Sequence, residues 1–335
     1  EGLAARVIEE LPREIGLYQF THAVVEETLA SELSLTRRVR IHARVAAALE
    51  EMYGDTSGDH SEELVKHFEQ AQTVLGPERV AYYAQIAGEA AQSALGYDEA
   101  ARYYELALDA LGDDGDADQI ATLHRDVAIA HSALRNVESA LKHIEISFRH
   151  FVDTDQADLA ASVATIQFVS GAGQSAMLPY LRTALELVDA SSEQRPLVMS
   201  LLGRSESMYA DSYEIGKPLL INALKFARDR QDQLLEMQVL GDISISAFYG
   251  LDQEVAKSSI LEMMALGESV DDPLAMPQAH RGFAFQQSEK GDKAGALKSL
   301  DDAIEAARRS GDRQRLGTNF AIKAFFYGAY GEWDN

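Results

Sequence analysis

Gly96-Tyr97-Asp98-Glu99-Ala100-Ala101-Arg102-Tyr103-Tyr104-Glu105-Leu106-Ala107-Leu108, preceded by the apolar-periodic run from Tyr82 to Leu95, decides the fold. Gly96 reads as a helix-ending residue, and Asp98 and Glu99 place negative charge where a helix start favours it. Ala100, Tyr104, Ala107, Leu108 and Leu111 then share one helical face. The stretch predicts a helix hairpin. Working outward, a small or adaptable residue followed seven positions later by another recurs as Ala100/Ala107, Ala140/Ser147, Met177/Ala184, Gly216/Ala223, Ala256/Met263 and Ala296/Ala303. The first members are separated by steps of 40, 37, 39, 40 and 40 residues. Such a period marks stacked helix pairs, because each pair leaves an apolar face that only a neighbouring pair covers.

These residues resemble the tetratricopeptide repeat. Its pattern sets a small residue twelve before the first key Ala, a bulky one four after it and a second Ala seven after it. Gly88, Ala100, Tyr104 and Ala107 fit, as do Ala128, Ala140, Ile144 and Ser147, and then Ala284, Ala296, Leu300 and Ala303. The resemblance implies an all-α fold, a right-handed superhelix of about six and a half hairpins over residues 55–335. Its middle copies depart from the pattern, with Thr165, Arg204 and Ser244 at the early small position and Pro179 and Pro218 in or near second helices. The step of roughly 39 residues also exceeds the usual 34. Longer, degenerate repeats of this kind resemble the MalT-type sensor domains of large bacterial regulators. Phe320, Ala324 and Tyr327 begin a last copy, with Trp333 in the place of Tyr97.

Residues 1–54 do not follow the repeat. A strand or turn is expected at Leu17 to Phe20, a helix from about Thr21, and a second helix capped by Ser34 or Thr36. The phrase Phe20-Thr21-His22, an apolar helix and then the Arg-rich His42-Ala43-Arg44-Val45-Ala46 helix are similar to the winged-helix end of signal-transduction ATPases, where this module precedes the repeat array. The resemblance implies that His22 senses the phosphates of bound ADP in a parent protein; the other reading is a buried histidine holding a helix start. ATP and ADP belong, by the same resemblance, to that parent. The chain has no Gly-x-x-x-x-Gly-Lys-Ser/Thr loop, and Gly216-Lys217-Pro218 cannot replace one because Pro lacks an amide needed to cradle phosphate.

Composition narrows the partners. Fifty-four acidic residues against 30 Lys plus Arg give a formal charge of −24, which disfavours nucleic acid on the overall surface. Arg37, Arg38, Arg40 and Arg44 form a basic strip that reads as a helix face meeting an ATPase domain of the same chain or the acidic array rather than DNA. There is no cysteine, no secretory leader pattern and no apolar run near the ~20 residues that span a bilayer. A soluble, cytoplasmic protein is expected, and both ends read as cuts in a longer one. Asn335 falls one residue before the next expected small position.

No catalytic or metal constellation emerges. His60, Glu63 and His67 share a helical face, and His124/His131 and His143/His150 are spaced by seven, but two full turns set side chains ~10 Å apart, too far for one ion. The run from Asp113 to Asp118 reads as capping acids, since His124 stands where a calcium loop needs Glu. The repeat register does select inner-groove positions: Arg125, Ile166, Val169, Ile245, Phe248, Gln278, Arg281, Phe285 and Phe325, with Ile129, Ser205, Met208, Gln238 and Ser288 beside them. An apolar channel with an arginine suits a peptide or a small organic inducer. Alternatively, these residues are buried between helices or covered by a subunit contact.

The resemblances together imply a non-enzymatic sensor or scaffold segment of a signal-transduction ATPase, in a LuxR-type transcription regulator, able to self-associate. The rival readings are the repeat region of a multidomain nucleotide cyclase or kinase, and a plain assembly scaffold.

Overall fold

The computed structural model describes residues 7–10, 18–22, 24–25, 28, 32–168, 171–209, 213–270, 276–309 and 313–331. Strand β1 (Ile8–Glu10) pairs antiparallel with β2 (Tyr18–Phe20) in the register Ile8 to Phe20. Helices then follow one another: α1 (Leu35–Tyr53), α2 (Ser61–Leu75), α3 (Glu78–Ser93), α4 (Tyr97–Leu111), α5 (Ala117–Ala133), α6 (Val137–Asp153), α7 (Ala157–Ala164) and α8 (Gly171–Ala176). After them come α9 (Leu178–Leu187), α10 (Arg195–Tyr209), α11 (Tyr213–Asp229), α12 (Gln233–Tyr249), α13 (Gln253–Val270), α14 (Met276–Glu289), α15 (Lys293–Arg309) and α16 (Arg313–Tyr330). The chain divides into two units, Glu1–Ala90 with Arg102–Gly115, and Ala91–Ala101 with Asp116–Asn335.

In the first unit, α1 is capped by Ser34, whose hydroxyl accepts from the Arg37 amide, and it packs on α2. Leu64, Val65, Phe68 and Ala71 form the buried face of α2. Phe68 stacks on Tyr83 with ring centroids 5.4 Å apart, and the Tyr83 hydroxyl donates to Glu50 at 2.6 Å. Arg79 pairs with the same carboxylate. Gly88 of α3 leaves room for Tyr104: a Cβ there would meet the tyrosine ring at 2.6 Å. In this copy the small-then-bulky pair is therefore an approach too close for a Cβ, whereas Ala128 and Ala284 fill the same position opposite the smaller Ile144 and Leu300.

The turns explain why one helix stops and the next begins. At Leu95, Arg135, Leu251 and Gly291 the backbone enters the left-handed region, with φ of 62°, 62°, 59° and 79°. The following amide bonds five residues back, Gly96 to Ala91, Asn136 to His131, Asp252 to Ala247 and Asp292 to Gln287, at 2.8–2.9 Å. This is the Schellman closure, which satisfies carbonyls left over at a helix end. Asn136, Asp252 and Asp292 then cap the next helix, accepting from Ser139, Val255 and Gly295. Gly96 therefore does not end its helix, contrary to expectation; Leu95 takes the left-handed position and Gly96 stands where the other repeats place a cap.

All twelve of the regularly spaced residues are buried, including Ala140, Ser147, Ala184, Ala223, Ala296 and Ala303 at 0% exposure. The second unit's cores follow the chain, from Ile144, Phe151, Leu181 and Leu201 to Leu220 and Val239, then Met237 and Met263, then Ala284, Leu300 and Phe326. Burying an aliphatic or aromatic side chain of this size contributes ~1.5–3 kcal/mol. The third copy is the irregular one. Its first helix, α7, ends at Ala164, and Thr165 caps it with its amide bonded to the Ala161 carbonyl. Pro179 lies in the first turn of α9, where a missing amide costs no helical bond. Pro218 lies inside α11, and Gly216-Lys217-Pro218 is thus helix and not loop.

Candidate functional site

A cavity of about 420 Å³ opens among α12, α13 and α14. Four side chains selected by the repeat register line it: Ile245 and Phe248 from α12, Arg281 and Phe285 from α14. Ile260 and Ala256 of α13 complete the apolar wall, and Glu254, Lys257, Glu289 and Lys290 stand at exposed positions around it. Helix α12 is fixed at both ends, by Asp232 accepting from the Leu235 amide at 3.0 Å and by the turn at Leu251. The spacing of Ile245 and Phe248 brings both to the same side, and the Phe248 ring lies 6.2 Å from that of Phe285.

Next to Gly241 of the cavity wall, an ionic pair that the repeat register did not anticipate joins α10 to α12. Asp242, 1% exposed, accepts from Arg204 Nη1 and from Ser200 Oγ, both at 2.8 Å. Burial pushes its carboxyl up, opposed by the Arg204 charge and by the hydrogen bonds from Ser200 and Arg204. Arg204 occupies the position where the pattern calls for a small residue, and the pair accounts for the departure. A signal existed in Val239-Leu240-Gly241-Asp242-Ile243: one carboxylate in an apolar run, 38 residues after an out-of-place arginine.

Arg281 has a different setting. Among the described residues it makes no hydrogen bond or ion pair, and its charged neighbours are Arg315 and Arg204. Burial, with those two like charges, lowers its guanidinium to about 10. Gln286, also on the cavity wall, has a buried Nε2 with no partner among the described residues.

The other selected positions are elsewhere. Arg125 is held by its neighbour Asp126, through Nε at 2.9 Å and Nη2 at 2.8 Å. Ile166, 6% exposed, belongs to the core, because α7 ends before it and the chain folds inward. Phe325 is 67% exposed, and Phe326 is instead the buried ring that meets Phe285 at 5.1 Å. Val169, Trp333 and the side chain of Gln278 lie outside the described residues. His22 is exposed, and its carbonyl accepts from the Val25 amide.

The histidines pair across hairpins rather than along helices. His42 and His67 approach at 2.9 Å between Nδ1 atoms, and His124 and His143 at 2.7 Å. His131 stands 6.1 Å from the His143 ring. Burial is the largest cause lowering His143, to about 4, followed by the charges of His124, His131 and Lys142. Among the described residues no three His, Asp or Glu side chains converge on a metal position. Arg37, Arg40 and Arg44 are exposed along α1, whereas Arg38 is partly buried and its Nε has no partner among the described residues. No described helix is long and apolar enough to cross a membrane.

Hairpins of this geometry at a 40-residue period define a tetratricopeptide-like helical-repeat protein. The chain is similar to a Rap protein complexed with Competence and Sporulation Factor, with a TM-score of 0.52 and 11% identity over 92% of each chain. It is also similar to aspartyl phosphate phosphatase F from Bacillus subtilis, with a TM-score of 0.51 and 15% identity over 89% of this chain and 81% of the other. A STAND protein with a tetratricopeptide repeat sensor from Pyrococcus horikoshii aligns at a TM-score of 0.45 and 15% identity, over 95% of this chain and 56% of that one. No family model matches the sequence, and no curated protein matches it.

Proposed function

We propose that this chain is a ligand- or partner-binding sensor segment of a bacterial signal-transduction ATPase, in a LuxR-type transcription regulator. The observation that carries the sensor reading is the cavity lined by Ile245, Phe248, Arg281 and Phe285, positions that the repeat register selects from sequence alone. Its volume lies within the ~300–1,000 Å³ of small-molecule sites. The Rap protein, which shares the fold, was solved in complex with a factor, and a peptide or protein is the corresponding alternative occupant here. The winged-helix assignment of residues 1–54 rests on the phrase around His22, on the β1–β2 pair and on the Ser34-capped helix that follows. In that reading nucleotide is held by a preceding ATPase domain, and His22 is this chain's contribution to sensing it.

Occupancy of the groove would favour release of an ADP-held resting state in the parent, since a ligand shifts an equilibrium only through its differential affinity for the two states. The test is a thermal-shift and calorimetric screen of metabolites and short peptides against this segment, with the full regulator measured in parallel. Binding that is lost when Phe248 and Phe285 are both replaced by Ala is expected. A segment that binds nothing while the full regulator responds to its inducer would place sensing outside the groove.

A further inference from the structure

The cavity is built to take more than an apolar body. Its mouth carries two carboxylates, Glu254 and Glu289, and two ammonium groups, Lys257 and Lys290, all exposed and balanced in charge. Arg281, less exposed than these four, makes no ion pair among the described residues, and the charges that act on it are the like charges of Arg315 and Arg204. Arg204 is already bonded to Asp242. A partly buried guanidinium beside two like charges costs free energy that a bound anion would offset.

We propose, resting on the sensor reading above, that the cavity takes an apolar monocarboxylic acid whose carboxylate is gripped by Arg281. One planar guanidinium matches the two oxygens of one carboxylate bidentately, whereas a phosphate dianion calls for a second free cation. Phe248, Phe285, Ile245 and Ile260 enclose an aromatic or alkyl body. Arg281 is then the residue that sets ligand class, and the phenylalanines set affinity.

The experiment uses the whole chain and three probes: 4-phenylbutyrate, its neutral amide, and a short peptide ending in phenylalanine with either a free or an amidated C-terminus. Calorimetry on the wild type should show the acid binding about 10- to 100-fold more tightly than the amide, the range of a charge-assisted pair. Arg281→Gln should abolish that preference, bringing the affinity for the acid down to that for the amide. Equal affinity for acid and amide in the wild type would overturn the proposal. So would an acid preference that survives in Arg281→Gln. Peptides that bind regardless of C-terminal charge, with no binding of the acid, would refute the acid assignment and keep the sensor reading. Failure of every probe, in a screen where the full regulator responds to inducer, would remove both. A stability readout separates anchoring from a structural role: Arg281→Met should melt at or above the wild-type temperature, and a lower melting temperature would mean that the guanidinium is paired within the fold.

Discussion

Replacing Gly216 by Ala tests whether the repeat register or the local packing governs the tightest helix pair of the second unit. In the other copies this position holds Ala or Met, so pattern alone favours alanine. Helix propensity agrees, with Ala favoured over Gly by ~1 kcal/mol in a helix interior. The tertiary environment opposes both. A Cβ at Gly216 would fall on the Gly203 carbonyl oxygen and the Ser207 hydroxyl, and one at Gly203 would stand 2.8 Å from the Gly216 carbonyl oxygen. Ser207 is fixed by its own bond to the Gly203 carbonyl at 2.8 Å, so it yields little. Overpacking of this sort costs ~1–3 kcal/mol, and the upper end applies because backbone must move. The expected net change is a destabilisation of about 1–2 kcal/mol, after the propensity gain is subtracted. Urea unfolding followed by circular dichroism measures it, read as a shift of the midpoint because a repeat array unfolds by neighbouring units. Gly317→Ala is the control, since that helical glycine has nothing within 4 Å of its would-be Cβ and should gain stability. A stabilised Gly216→Ala protein would refute the close-packing argument.

Three further outcomes are expected. Leu251→Gly removes a side chain that is 86% exposed from a left-handed position, relieving ~1–2 kcal/mol of backbone strain against ~0.5–1 kcal/mol of added chain entropy, so urea unfolding should show a net gain of up to ~1 kcal/mol. Asp242→Ala leaves the partly buried Arg204 charged and unpaired and should destabilise by ~2–4 kcal/mol, while the double change Arg204→Met with Asp242→Leu recovers most of it; equal loss in both would deny the pairing. The pH dependence follows from His143. Its folded pKa, about 4, lies below the ordinary 6.5, so the unfolded chain binds more protons between those values. Stability should be full above about pH 6.5 and fall as pH drops toward 4, by ~1–2 kcal/mol once partial exposure is discounted. His143→Gln should flatten that part of a melting-temperature profile, and an unchanged slope would assign it to other groups.

Much of this molecule is legible from spacing. The pairs seven apart, from Ala100/Ala107 to Ala296/Ala303, specify buried helix contacts because a helix returns to the same face every two turns, and every member is buried. The same register reached Ile245, Phe248, Arg281 and Phe285, since copies that keep their length keep their phase. Where helix length changes, phase is lost. α7 ends at Ala164, capped by Thr165, and Ile166 beyond it lies in the core.

Sequence by itself therefore determined an all-helical repeat of hairpins, its period and the faces that must be covered, because those depend on local periodicity and on the burial of small residues. Tertiary structure alone decided which partners meet: Gly203 against Gly216, Arg204 with Asp242, His124 with His143, and Arg281 with no counter-ion among the described residues. Each depends on the distance and angle between separate helices, which are set by side-chain packing and by the left-handed turns at Leu95, Arg135 and Leu251.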